Sequence, residues 1–142
     1  MSIWTRPITL DHLNANNQPS AAGSLGIEIT EIGDDFIRGR MPVDARTRQP
    51  HGFLHGGASV LLAETLGSIG ANYCLRDPGQ RAMGLEINAN HLRAVASGWV
   101  TGTARPLHLG STTHVWEIRI ENEDGKPVCI SRLTMAVIHA RG

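Results

Sequence analysis

Apolar residues recur with period two along several stretches of the chain and with helical period along one long stretch, and this contrast predicts the elements. Leu25, Ile27 and Ile29 alternate with polar neighbours, and so do Phe36, Arg38 and Arg40 beyond Gly33-Asp34-Asp35, which together read as a β-hairpin. Ahead of it, Thr9-Leu10-Asp11-His12-Leu13 reads as a short helix with Thr9 as N-cap. A loop rich in Arg, Pro and Gly runs from Pro42 to His55, and the pattern after Gly56-Gly57 predicts a helix to about Leu75. Four strand candidates follow, at Leu85 to Leu92, Trp99 to Arg105, Thr113 to Glu121 and Val128 to Ile138. In the third, Trp116, Ile118 and Ile120 alternate with Glu117, Arg119 and Glu121, so one face is buried and the other wet. Asp124-Gly125 supplies the hairpin turn after it. Two strands, a long helix and four strands predict an α+β fold in which an antiparallel sheet packs on the helix.

The long helix carries the candidate chemistry. On a helical wheel, Gly57, Leu61, Glu64, Ser68 and Asn72 form one stripe, while Val60, Leu62, Leu66, Ile69 and Tyr73 lie outside it and are mostly apolar. A helix apolar nearly all round belongs in a core, so Glu64 is a costly carboxylate unless it is paired or used. An ion pair with Arg93 or Arg105 is the plain alternative to catalysis. At the helix start, His55-Gly56-Gly57 combines unpaired N–H groups with an absence of side-chain bulk, a setting that suits a developing oxyanion. The glycines serve equally as a tight turn from loop to helix. Eight residues separate Gly56 from Glu64, about 12 Å along the axis, too far for one thioester or ester to touch both. If both act together, they come from two antiparallel copies of the helix, and the site is composite in a homodimer.

Composition narrows the field. The 142 residues fit a single domain spanning residues 1–142, and 41% hydrophobic with 18% charged residues excludes a disordered chain. Thirteen basic residues balance thirteen acidic ones, which argues against nucleic acid as a partner. Cys74 and Cys129 fit no metal or redox spacing and read as buried reduced thiols of a cytoplasmic protein. The opening segment lacks an apolar signal core, and the apolar stretch Ala58 to Leu75 is broken by Glu64, Gly67 and Gly70, so neither export nor a membrane span is expected. Ser59 lacks the second glycine of a nucleophile elbow, and His51 with His55 has no third zinc ligand. No dinucleotide or phosphate-loop fingerprint occurs, so no metal or cofactor is expected. His91, Arg93, Arg105 and His108 cluster at strand ends, where they could hold a phosphate or simply be solvated.

Longer motifs carry a resemblance. Gln49-Pro50-His51-Gly52-Phe53-Leu54-His55-Gly56-Gly57-Ala58-Ser59, then Ala63-Glu64 and Gly67-Ser68, resemble the hotdog-fold acyl-CoA thioesterases of the phenylacetate and Arthrobacter-type 4-hydroxybenzoyl-CoA group. Met41-Pro42-Val43-Asp44, the stretch Gly84 to His91 and Pro106-Leu107-His108-Leu109-Gly110-Ser111 extend the match to nearly the whole chain. The resemblance implies a hotdog fold, an antiparallel sheet wrapped around one long central helix, in dimers that pair into a homotetramer. It implies Glu64 as nucleophile or general base and Ser68 as the residue orienting it or a water. From the other subunit, Gln49, His55 and the Gly56 amide would bind and polarise the thioester carbonyl. His91, Arg93 and the loop His108, Leu109, Gly110, Ser111 match positions that hold coenzyme A. The implied substrate is an aromatic, benzoyl- or naphthoyl-type, or medium-chain acyl-CoA, although the segment Leu75 to Met83 departs from the group's pattern. A hotdog hydratase or dehydratase, and a non-catalytic acyl-CoA-binding module, are the competing readings.

Overall fold

The computed structural model describes residues 1–139. Two short helices, α1 (Leu10–Asn17) and α2 (Ala21–Ser24), precede the hairpin β1 (Glu28–Ile32) and β2 (Ile37–Pro42). The long helix α3 (Gly56–Asn72) follows, and then β3 (Gln80–His91), β4 (Trp99–Leu109), β5 (Thr113–Glu121) and β6 (Pro127–His139). All six strands join one antiparallel sheet in the order β1-β2-β4-β5-β6-β3. The sheet curls around α3, which packs against β2, β3, β4, β5 and β6.

Alternation dictates what faces the helix. Ile37 and Met41 of β2, Val100 and Ala104 of β4, Trp116, Ile118 and Ile120 of β5, and Leu133 of β6 are completely buried, together with Leu62 and Leu66 of α3. Burial of each large side chain contributes about 1.5–3 kcal/mol before conformational entropy is charged against it. Gly70 lets α3 approach the sheet closely, since a Cβ there would lie 2.6 Å from the Trp116 indole.

Several boundaries differ from the expected ones, each for a local reason. Thr9 caps α1 through its hydroxyl, which accepts from His12 N–H at 3.3 Å, but the helix continues to Asn17. Helix α3 stops at Asn72, where the last turn tightens, with the Cys74 N–H donating to the Ala71 carbonyl at 3.1 Å, and the Tyr73 carbonyl accepts from the Thr5 N–H at 2.8 Å and the Thr5 hydroxyl at 3.1 Å. Strand β3 begins at Gln80, five residues before the expected Leu85, because Gln80–Gly84 pair with Met135–His139 of β6. Strand β4 runs on past Arg105 to Leu109, with Pro106 accommodated at an irregularity in its pairing with β5.

The two sheet edges are treated differently. At β1 the Asn14 side chain imitates a neighbouring strand: it accepts from Ile29 N–H at 2.8 Å and donates to Ile29 C=O at 3.0 Å. At β3 the Asn72 side chain does the same to Ala82, accepting at 3.0 Å and donating at 3.3 Å. Beyond Ala82 the β3 edge has no neighbouring strand among the described residues, and Met83 and Leu85 are exposed there. A long bare edge with apolar residues is a template for pairing.

Candidate active site

The site is laid out along the flank of α3 that runs beside β3. Gly56 at the helix start lies against the His91 imidazole at the far end of β3: a Cβ on Gly56 would sit 3.0 Å from His91 Nε2. Two turns on, the Glu64 carboxylate lies over Gly84, where a Cβ would come within 2.7 Å of Oε2. Two turns further, Asn72 grips Ala82. The stripe foreseen on the helical wheel is thus the flank facing the open edge of the sheet. The helix is less enclosed than its composition suggests. Ala58, Ser59, Leu62, Ala63, Leu66, Gly67, Gly70 and Ala71 are buried, whereas Val60, Leu61, Glu64, Ser68 and Ile69 are only half-buried.

At the helix start, His55 acts as N-cap, its Nδ1 accepting from Gly57 N–H at 2.8 Å. This corrects the expectation that both glycine amides are free, because a capping acceptor here satisfies one of the helix's unpaired donors. The bond requires an unprotonated Nδ1, so the neutral ring carries its proton on Nε2, where it can donate. The Gly56 N–H makes no hydrogen bond among the described residues. Gln49 is held similarly: its side-chain oxygen accepts from His51 N–H, which leaves the amide NH₂ free to donate. Gln49, Gly56, His91 and Arg93 line one cavity of about 460 Å³, whose apolar wall includes Phe53, Leu92 and Val128. Ser59, set aside as a nucleophile, is buried and lines the same cavity; its place one turn after Gly56 was the available signal.

Glu64 makes no ion pair among the described residues, and Arg105, one of its candidate partners, instead pairs with Asp35 at 3.1 Å. No hydrogen bond joins Ser68 Oγ to Glu64 among the described residues; the Ser68 carbonyl accepts from Asn72 at 2.9 Å. Neither Glu64 nor Ser68 lines the cavity at the helix start.

Leu109, Gly110 and Ser111 lie elsewhere, at the other end of α3, lining a cavity of about 380 Å³ with Cys74, Arg76 and His114. His108 and Arg105 therefore do not cluster with His91 and Arg93, as their common place at strand ends had suggested. His114 is buried with an unpartnered Nδ1, and desolvation, then the nearby His108 and Arg76 charges, push its pKa below the usual histidine range. Cys74 and Cys129 are free and buried, and burial pushes the Cys74 thiol up to about 12. Among the described residues no cluster of His, Cys, Asp and Glu is placed to hold a metal, and no helix is long and apolar enough to cross a membrane.

Comparison with known proteins settles the family. The sequence profile of the thioesterase superfamily matches residues 51–129, more than half of the chain. The chain belongs to the thioesterase superfamily. The matched stretch includes His55, Gly56, Glu64, Ser68, His91, Arg93 and residues 108–111, with Gln49 two positions outside it. Over 136 residues the chain is 52% identical to the 1,4-dihydroxy-2-naphthoyl-CoA hydrolase of Escherichia coli, covering 96% of this chain and 99% of that protein. It is also 52% identical to the proofreading thioesterase EntH of Cronobacter turicensis, covering 96% and 98%. The crystal structure of a thioesterase from Haemophilus influenzae superposes with a TM-score of 0.95 at 50% identity, covering 99% of this chain and 97% of that one. The sheet wrapped on a central helix is the hotdog fold of these thioesterases, and thioester hydrolysis is the activity that membership brings.

Proposed function

We propose that the protein hydrolyses the thioester of an aromatic or medium-chain acyl-CoA at a site shared between two copies of the chain. The observation that carries this reading is the separation within one chain of two half-sites. Donors at Gly56 and Gln49 sit at the helix start, and the Glu64 carboxylate lies two turns away over Gly84. The bare β3 edge offers the means of joining them. With Ala82 occupied by Asn72, the free segment runs from Gly84 to His91. Antiparallel pairing of that segment with its twofold copy sets residue 84 of one protomer opposite residue 91 of the other. The Gly56 amide beside one His91 then faces the Glu64 beside the other Gly84. Pairing of dimers into a tetramer belongs to the same reading.

In the assembled site the thioester carbonyl accepts from the Gly56 N–H and the Gln49 amide, with the His55 Nε2–H as a further donor. These groups point to where negative charge develops, and each such donor is worth about 10²–10³ in rate. Glu64 either attacks the carbonyl carbon, so that collapse with loss of the thiolate leaves a mixed anhydride that water then hydrolyses to free acid and the Glu64 carboxylate, or deprotonates a water held by Ser68 that attacks instead, so that collapse releases free acid and thiolate directly. A thiolate is a good leaving group, with a parent pKa near 8.5, so no strong general acid is required. His91 and Arg93 on one side, and His108 with the Leu109–Ser111 loop on another, take the coenzyme arm. The aromatic acyl preference is supported by the relative named for a naphthoyl-CoA and by the apolar wall of Phe53, Leu92 and Val128.

Thiol release from benzoyl-, naphthoyl- and straight-chain acyl-CoA tests the reading. Turnover of at least one, abolished in Glu64→Ala, is expected. No release above background, or full activity in that variant, overturns it; loss of conjugation in crotonyl-CoA without thiol release would indicate a hydratase instead.

A further inference from the structure

Five of the twelve basic side chains among the described residues are neutralised locally. Arg40 pairs with Glu28 at 3.0 Å, Arg46 with Asp44 at 2.8 Å, Arg105 with Asp35 at 3.1 Å, Arg119 with Glu117 at 3.5 Å, and Arg38 with Glu31. Arg6, Arg76 and Arg81 meet no carboxylate at ion-pair distance among the described residues, yet all three line one cavity of about 350 Å³ beside the C-terminal end of α3. Two of them are held in position. The Arg6 guanidinium lies 4.0 Å from the centroid of the Tyr73 ring, and Arg76 donates to the Leu109 carbonyl at 3.3 Å. Thr5, Leu75, Arg76, Asp77 and Gln80 also line the cavity of about 380 Å³ that holds Leu109–Ser111, so the two hollows form one continuous cleft.

We propose that this cleft is a phosphate-binding site, with Arg6, Arg76 and Arg81 as its ligands. Guanidinium forks match the several oxygens of a phosphate, and three arginines lining one hollow with no carboxylate at ion-pair distance leave a positive field that an anion would fill. Two groups oppose it. Asp77 cancels one charge, and the carbonyl end of α3 is unfavourable to anions, though the Tyr73 carbonyl is already covered by Thr5. The buried His114, its Nδ1 unpartnered, lines the adjoining hollow and offers a neutral polar contact to the rest of the ligand. The phosphate is either one carried by the coenzyme of the substrate, which rests on the acyl-CoA reading above, or that of a separate small phosphorylated molecule, which does not.

Calorimetry at low salt with adenosine 3′,5′-bisphosphate and with inorganic pyrophosphate tests the site, alongside acyl-CoA kinetics. Wild-type protein is expected to bind at least one probe, and the Arg76→Ala/Arg81→Ala variant to bind it about tenfold more weakly or worse. Arg6→Ala, a change in a different segment, should weaken it in the same direction, and Arg132→Ala, opposite Asn88 and outside both hollows, should not. A raised KM for acyl-CoA at unchanged kcat assigns the phosphate to the coenzyme, whereas weakened pyrophosphate binding at unchanged KM assigns it to a separate molecule. Failure of both probes to bind the wild type, or equal binding by wild type and the double variant, overturns the proposal. Failure of the acyl-CoA reading would show as absent turnover, which these titrations do not measure.

Discussion

Gly84 is defined by what occupies the space where its side chain would be. A methyl group there would meet the Glu64 carboxylate oxygen at 2.7 Å, so Gly84→Ala must displace the carboxylate while leaving the strand intact. Misplacing a reacting group by an ångström can cost about 10²-fold. The variant is therefore expected to keep its melting temperature within a few degrees and to lose about that factor in kcat, as steady-state kinetics would show; unchanged kcat would contradict it. His114 gives a second prediction at this scale. Its pKa is depressed, so below about 6.5 the unfolded chain binds a proton that the native state resists, and stability falls as pH falls through that value. Thermal midpoints measured between pH 7.5 and 5.5 should fall more steeply for wild type than for His114→Gln; parallel curves would show that the group does not contribute. Glu64 and Gly56 were legible as candidate chemistry because each breaks a pattern, a charge on an apolar helix and a gap at a helix start. Gly84 and Asn72 were not, since their roles exist only once β3 lies beside α3.

Among the elements, α3 and β5 are the ones whose sequences state their structure most directly. Thr113–Glu121 has the expected bounds because its alternation is unbroken and its burial one-sided. The start of β3 was hidden because Gln80–Gly84 carry little alternation of their own and become a strand by pairing with β6. The capping asparagines were equally invisible, because a side chain that replaces a strand leaves no periodic trace. Asn14→Ala removes both bonds to Ile29, whose backbone is partly buried, and is expected to destabilise the fold by about 1–3 kcal/mol in urea titration. A change under 0.5 kcal/mol would mean that water satisfies that edge equally well. Leu66→Ala, at the fully buried centre of α3, is expected to cost about 2–5 kcal/mol by the same method.

For the whole molecule, the decisive feature is the asymmetry of the two sheet edges. One is closed by α1 and Asn14; among the described residues the other is closed only at Ala82 and is bare alongside the catalytic candidates. The spacing of Gly56 and Glu64 already pointed to two copies of the helix, but which surface would join them could not be read from sequence, because strand order is set by long-range pairing. The complementation of two disabled variants tests the shared site most directly. Glu64→Ala and Gln49→Ala protein, each nearly inactive alone, are unfolded together in equal amounts and refolded. A site built from both protomers is intact once in every mixed dimer, so random pairing restores about a quarter of wild-type thioesterase activity. If Glu64 and Gln49 serve the same site within one chain, the refolded mixture stays at the average of its two inactive parents.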